Sequence, residues 1–418
     1  MPIYCDPSEL SVLEQQYQAL PKQEPPLQLW QGNLSPEQLD LYSSFSDIEG
    51  PYDACGHDCR GYLGIHAEGL PEARAYFAGL LGVEQEEVLV LGNSSMEIFF
   101  QVCANALMRG VPDAAKPWPS YAHFVCPVPG YFRHFYALQY LGIRMHQIPL
   151  GKVGPNMSEV ESIVQFDKRY TGIVITPLCS NPTGIDYSDA IIKRICCMKT
   201  ANLDFRIFAD LAYAQHHLGT PRKKQLPNML ELCRDAGVPD RPMLFFSTSK
   251  ITHPQNGVAV LVSSKKNLEW FMKMQQAIKC GPPLMEQLRQ VRYLRKEGIG
   301  VVMHKHATIL APKFEAVCQA FREEFTATDI ASWSEPRGYF ICLFLRHPVA
   351  HEAVEYAVQK GYIFADPREM YPNKDDIKNN IIRIAPSSQS AEVNYKSVKV
   401  LALCVKLASA QYQPEPKF

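Results

Sequence analysis

The 418-residue chain has no run of about 18 apolar residues, so no membrane-spanning helix is expected of it. Its opening stretch, MPIYCDPSELSVLEQQYQAL, lacks the apolar core of a secretory signal, which makes the cytoplasm the expected compartment. An excess of either charge is also missing. The 42 Lys and Arg balance 43 Asp and Glu, which leaves no electrostatic footprint for nucleic acid or a polybasic membrane contact. Internal repeats and low-complexity tracts are absent. The 13 cysteines have no regular spacing, and the tightest group, 55-CGHDC-59, offers two thiols and one imidazole. A zinc site needs about four ligands and no second pair lies nearby in the chain, so no metal is expected and the thiols read as reduced.

What is present is the composition of an ordinary globular protein, long enough for a large core and more than one domain. Short apolar runs at 88-VLVL-91, 172-GIVIT-176, 206-RIFA-209, 243-MLFF-246 and 257-GVAVLV-262 read as buried strands. Helical patterns at 94–110, 187–201 and 284–298 fill the gaps, with Ser or Asp starts and Gly stops. That alternation predicts βαβ units and a mostly parallel sheet, whose ligands bind outside the carboxyl ends of the strands. After residue 300 the texture changes. A long helix over 301–325 leads to 338-GYFICLFL-345, a helix at 351–361, 381-IIRIA-385 and a last helix near 391–410. Three parts are expected: an N-terminal arm, or part of the small domain, over 1–48, a large domain over 49–300 and a smaller α/β domain over 301–418.

Polar residues follow several of the predicted strands. Lys250 stands between two apolar runs, where loss of solvation lowers the pKa of an amine and makes it nucleophilic. Taken alone it is an ordinary loop lysine; its company changes that. The run 206-RIFADLAY-213 ends a strand in Asp210, a carboxylate able to hold a protonated ring nitrogen, with the phenol of Tyr213 three residues on. Asn181 sits in 176-TPLCSNPTG-184, a fixed turn that aims its amide at the strand edge. In 91-LGNSSMEIFF-100, Ser94 and Ser95 open a helix and form an anion site, or merely an N-cap; Ser247 and Ser249 add hydroxyls. Arg383 lies inside an apolar strand and needs a carboxylate, from a substrate or from a local acid. In chain order these groups match the phosphate, ring hydroxyl, ring nitrogen and aldehyde of pyridoxal phosphate.

The chain resembles a fold-type I pyridoxal-phosphate enzyme of the class I/II aminotransferase superfamily, and within it the bacterial-type aspartate aminotransferase subgroup Ic. The resemblance rests on SPEQLDL at 35–41, DCRGY at 58–62, GLPEARAYFAGLLGV at 69–83, LGNSS, VPGYFRHF at 128–135, SNPTG, ADLAYAQHHL at 209–218, STSKIT at 247–252, APKFEAV at 311–317 and IRIAPS. It implies an α/β fold: a large domain with a mainly parallel seven-stranded sheet between helices, plus a smaller α/β domain. It further implies that Lys250 bonds the cofactor aldehyde and shuttles a proton, that Asp210 holds the pyridinium proton, and that Asn181 and Tyr213 bond the ring hydroxyl. Asn93, Ser94, Ser95, Ser247 and Ser249 then surround the phosphate, and Tyr131 covers the ring face. Arg383 takes the substrate α-carboxylate, with Asn181, Gln31, Gly32 and Asn33 on the substrate side. Tyr62 reaches the phosphate of a neighbouring subunit's cofactor, which implies a homodimer with shared sites.

Three departures from the subgroup stand out. Val258 occupies the position where many aminotransferases carry a phosphate-binding arginine, an absence common in this subgroup. In 30-WQGNLSPEQLDL-41, Gln31 and Asn33 replace two cations and Trp30 is added. Phe132 replaces an acid in VPGYFRHF, and one glycine rather than two precedes YF in 336-PRGYF-340. Cofactor machinery is kept while the substrate surroundings change, so the expected activity is a specialised, biosynthetic aminotransferase acting on an L-α-amino acid. The same first steps serve β- or γ-elimination and substitution, including on S-adenosylmethionine-like substrates. A non-catalytic effector-binding protein is a more distant alternative, since the stretch before residue 50 is too short for a DNA-binding module.

Overall fold

The structure is a computed structural model that describes residues 7–42, 50–61, 66–219, 225–326 and 330–413. In chain order the strands are β1 (Leu27–Gln28), β2 (Val88–Val90), β3 (His123–Val128), β4 (Arg144–Gly151), β5 (Gly154–Pro155), β6 (Tyr170–Ile175) and β7 (Arg206–Asp210). They continue as β8 (Pro242–Ser247), β9 (Ala259–Ser263), β10 (Ala331–Trp333), β11 (Ile341–Leu345), β12 (Tyr362–Ile363) and β13 (Ile381–Ile384). The large sheet has the order β2-β9-β8-β7-β6-β3-β4-β5. β3, β4, β6, β7 and β8 pair in parallel, while β9 runs antiparallel to both its neighbours. Seven strands make the body of this sheet. The eighth, β5, is a two-residue return on β4 at one edge.

Strand alternation divides the interior in two. Ile207 and Ala209 of β7 and Leu244 and Phe246 of β8 join the core under helices Pro71–Leu81, Asp189–Cys197 and Leu284–Glu297. Phe208 and Phe245 point the other way, under helices Ser95–Arg109, Phe132–Tyr140 and Lys265–Ile278. A sheet covered on both faces must be apolar on both, which is why its strands read as continuous hydrophobic runs. β3 and β4 were not legible as such: Pro127 interrupts HFVCPV, and RMHQIPLG carries three polar residues and Pro149.

A third core gathers β11 and β13 with helices Ala350–Gln359 and Ala391–Gln411. Helix Pro7–Ala19 joins it, where the Tyr17 hydroxyl donates to Gln359 Oε1 at 2.9 Å. Helix Ile299–Phe325 links the cores. Val302 and Met303 in its first turns pack with the large sheet, and Leu310 to Phe325 pack with the third core. No helix among the described residues is long and apolar enough to cross a membrane.

Gly172 lies on the central strand β6, where an added Cβ would fall 2.7 Å from the Phe124 ring and 3.1 Å from the Arg206 carbonyl oxygen. Gly172→Ala is therefore expected to cost about 1–3 kcal/mol through overpacking. A lowered urea midpoint checks this; an unchanged midpoint contradicts the close approach.

Candidate active site

Because β2, β3, β6, β7 and β8 share one direction, the segments that follow them leave from the same edge of the sheet. β7 ends in Asp210, which is buried. One of its oxygens accepts the Ala212 amide hydrogen at 2.9 Å, and the other lies 3.2 Å from His134 Nε2. His134 sits in the first turn of helix Phe132–Tyr140, three residues after Tyr131, with its ring centroid 5.1 Å from those of both Tyr131 and Phe99. Sequence reasoning quoted VPGYFRHF but gave His134 no role. The available signal was its helical spacing from Tyr131, which puts both rings on the same side.

Asn181 is buried in the turn after β6, and its Oδ1 has no hydrogen-bond partner among the described residues. The turn is closed by the Ser180 amide donating to the Ile185 carbonyl at 2.9 Å, with Gly184 at φ +72°, a conformation glycine adopts freely. Tyr213 is buried beside Tyr339 and Phe340, at 5.8 and 6.2 Å between ring centroids, and burial pushes its phenol pKa up.

The serine-rich segments meet through Asn93. Its carbonyl accepts from Ser249 Oγ at 3.0 Å, and its side-chain amide donates to the Gln255 carbonyl at 3.1 Å. Ser94 caps helix Ser95–Arg109, its Oγ accepting from the Glu97 amide at 3.2 Å. Ser247 ends β8 and is buried. Free amide hydrogens at a helix start, with hydroxyls beside them, suit an anion such as a phosphate.

Lys250 lies in the connection from β8 to the antiparallel β9. Its Nζ donates to the Gly32 carbonyl at 2.6 Å and stands 5.6 Å from the centroid of the Tyr339 ring. Burial pulls its pKa down to about 8, and the positive charge of Arg133 adds to the effect. Residue 32 must be small, because a Cβ there would come within 2.6 Å of the Phe340 ring. The Lys250 carbonyl is held by His216 Nε2 at 3.0 Å.

Arg383 on β13 is buried, with its guanidinium 5.1 Å from the Phe340 ring centroid and 6.0 Å from that of Phe132. Its Nη2 donates to the Trp30 carbonyl at 3.2 Å, and its Nε has no partner among the described residues. No carboxylate among the described residues forms an ion pair with it. Burial lowers its pKa, as expected for a cation kept from water. The Tyr131 hydroxyl is pushed up to about 12, mainly by burial. On the opposite side the Gln31 and Asn33 side chains bond each other, and the Trp30 indole donates to Gln28 Oε1 at 2.8 Å. From this segment, then, backbone carbonyls reach the two cations while these side chains bond among themselves. Tyr62 lies outside the described residues.

A Schiff-base-competent lysine, a buried carboxylate and a helix start on one edge of this sheet, with a smaller α/β unit alongside, define a fold-type I pyridoxal-phosphate-dependent transferase. A family model described as aspartate amino-transferase matches residues 5–416, and the chain belongs to that family. It is 35% identical over 393 residues to an aspartate aminotransferase of Corynebacterium glutamicum, covering 92% of this chain and 90% of the relative. A crystal structure of an aspartate transaminase from the same species superposes with a TM-score of 0.92 at 33% identity, covering 97% of this chain and 98% of that one. An α-aminoadipate aminotransferase from Thermus thermophilus, complexed with N-(5'-phosphopyridoxyl)-L-leucine, shares the fold at 19% identity, with a TM-score of 0.73 and 96% of both chains covered.

The lowered amine pKa gives a pH prediction for the cofactor-free protein. Amine-directed labelling of Lys250, followed by peptide mass mapping, is expected to rise through a midpoint of about 8. Arg133→Gln removes a positive charge that disfavours the ammonium, so it moves the midpoint upward. A midpoint in the ordinary lysine range in both proteins contradicts the buried placement.

Proposed function

We propose that the chain is a specialised, biosynthetic aminotransferase that takes the amino group from an L-α-amino acid with a large or apolar side chain. One observation carries the reading: Arg383 is a buried guanidinium without a carboxylate partner among the described residues, and it bonds the Trp30 carbonyl two residues from the Gly32 carbonyl that takes Lys250 Nζ. A substrate α-carboxylate is the partner such a fork lacks.

The residues fit pyridoxal phosphate, since the unpartnered Asn181 Oδ1 marks a buried amide awaiting a ligand and Asp210 is a buried carboxylate already oriented by His134. Bound there, the cofactor supplies an electron sink conjugated to the substrate α-carbon. Asp210, aligned by His134, would keep a proton on the ring nitrogen. Asn181 and Tyr213 would bond the ring hydroxyl, Tyr131 would pack on the ring, and Asn93, Ser94, Ser95, Ser247 and Ser249 would receive the phosphate. Lys250 Nζ, brought close to neutrality by burial, would take the α-proton and hand it to the cofactor side of the new C–N bond instead of restoring it to the α-carbon, as formation of a 2-oxo acid requires. Arg383 orients the substrate so that the α-proton faces Lys250, with Gly32 leaving room beside Phe340.

Phe132 and Phe340 flank Arg383, and Gln31 and Asn33 carry no charge, which favours an apolar substrate side chain over a second acid. The division into 1–48, 49–300 and 301–418 is supported by the separate core of β11, β13 and the last helices. A homodimer is supported by Tyr136 and Tyr140 of helix Phe132–Tyr140, which are 66% and 74% exposed, the Tyr140 ring lying beside that of Phe100.

Single-turnover mixing of the loaded protein with one L-amino acid at a time, without acceptor, tests the reading. Stoichiometric 2-oxo acid is expected, and bulky apolar donors are expected to exceed aspartate in kcat/KM. Free ammonia or an eliminated fragment in place of the oxo acid contradicts transamination; a preference for aspartate contradicts the substrate class. Arg383→Ala is expected to lower kcat/KM by about 10–100-fold, the worth of a hydrogen bond to a charged group.

A further inference from the structure

A second cluster of donors lies in the 51–66 segment, where one buried carboxylate oxygen faces two imidazoles. Asp53 Oδ1 accepts the amide hydrogens of Cys55 and His57 at 2.9 and 2.7 Å. That leaves Oδ2 to face His57 Nδ1 at 2.9 Å and His66 Nε2 at 2.7 Å. The Asp53 side chain is fully buried and that of His66 is 6% exposed, whereas His57 is 43% exposed and so opens the cluster to solvent. Ligand atoms of Asp53, Cys55 and His57 all lie within 4.8 Å of one another. The turn is fixed by the main chain: Asp53 N donates to the His57 carbonyl and Cys59 N to the Pro51 carbonyl, each at 2.9 Å.

We propose that Asp53, Cys55, His57 and His66 form a four-ligand structural site for a divalent transition metal of the zinc type. One oxygen, two imidazole nitrogens and a thiolate are the donor set such an ion prefers. The two backbone bonds to Oδ1 hold the carboxylate so that Oδ2 faces inward, as the outer bonds of a metal ligand do. Glu72 adds negative charge to the same turn, accepting from the Ala54 amide at 3.0 Å through Oε1, while its buried Oε2 has no partner among the described residues. Of the neighbouring cations, Arg60 pairs with Asp58 at 2.6 Å and Arg292 donates to the Gly50 and Tyr52 carbonyls at 2.9 and 2.7 Å.

Tetrahedral bonds of about 2.0–2.3 Å put neighbouring ligand atoms roughly 3.4 Å apart, so each imidazole moves about half an ångström away from Asp53 Oδ2 while His66, which lies outside the three-residue group, closes toward His57 and the exposed Cys55 thiol swings inward. Each neutral imidazole then carries its hydrogen on the nitrogen away from Asp53. Cys55 gives its proton to solvent, so one proton leaves per ion bound and affinity rises with pH. The spacing of 55-CGHDC-59 does not predict this set. The Cys59 thiol is buried and turned to the His57 carbonyl at 3.7 Å, and Asp53 and His66 come from outside the motif.

The test uses the untagged, cofactor-loaded protein, stripped of metal with a chelator and titrated with Co2+. A single cobalt ion per chain is expected, with tetrahedral d–d bands and a thiolate charge-transfer band, both lost on adding Zn2+. Cys55→Ser is expected to remove the thiolate band, and His66→Gln to weaken binding by about 10–100-fold. Cys280→Ser, at an exposed thiol elsewhere, leaves both unchanged. Circular dichroism establishes that each variant is folded. Absence of the thiolate band at stoichiometric cobalt, or the same band and affinity in Cys55→Ser and His66→Gln, overturns the proposal.

Discussion

Two cations without carboxylate partners among the described residues set the organisation of the centre. Lys250 and Arg383 arise on different sheets, yet they donate to the carbonyls of Gly32 and Trp30, two residues apart on one segment. Leaving a buried charge without a partner costs several kcal/mol, so this segment has to be present and held. It is anchored on both sides. Ser387 Oγ donates to the Asn33 carbonyl at 2.7 Å, and Gln38 Nε2 to the Tyr339 hydroxyl at 3.1 Å. His253 Nε2 donates to the Leu39 carbonyl at 3.3 Å from the lysine loop. A neutral carbonyl is a weaker partner for a guanidinium than a carboxylate, so the arrangement holds Arg383 in place and leaves it available.

The lysine loop is gripped from a second direction. His306 Nε2 donates to the Ile251 carbonyl at 2.9 Å, and its Nδ1 accepts from Gln38 Nε2 at 2.6 Å. Burial lowers the His306 pKa, which keeps the ring neutral and able to play both parts. The long helix Ile299–Phe325 thereby fixes the backbone beside Lys250, while His216 holds the carbonyl of Lys250 itself. Opposed environments result within one edge of one sheet. The amine is driven toward neutrality by burial and Arg133, while the carboxylate of Asp210 faces an imidazole and an amide hydrogen.

The residues that end strands were legible in the sequence because a parallel sheet delivers them to one edge whatever its order. Asp210, Ser247 and the Asn181 turn followed from apolar runs that stop at polar residues. What was hidden depended on pairing across the chain. His134 reaches Asp210 from 76 positions away, and nothing in its own neighbourhood marks it apart from the spacing to Tyr131. β4 was masked by Pro149 and by polar residues tolerated near the edge of the sheet, and β3 by Pro127, which lies beyond the part of β3 that pairs with β6. The side chains of Gln31 and Asn33 bond to each other, so the change of charge there was readable but its geometry was not. Asp53 and His66 meet only through a turn whose register no spacing rule supplies.

The central claim is that Lys250 is the amine that holds the cofactor. Loading the protein with pyridoxal phosphate, reducing with borohydride and mapping the peptides tests it most directly. The account predicts a phosphopyridoxyl group on Lys250 in the wild-type chain and none in Lys250→Ala. A modification centred on another lysine, or one that persists in Lys250→Ala, contradicts it.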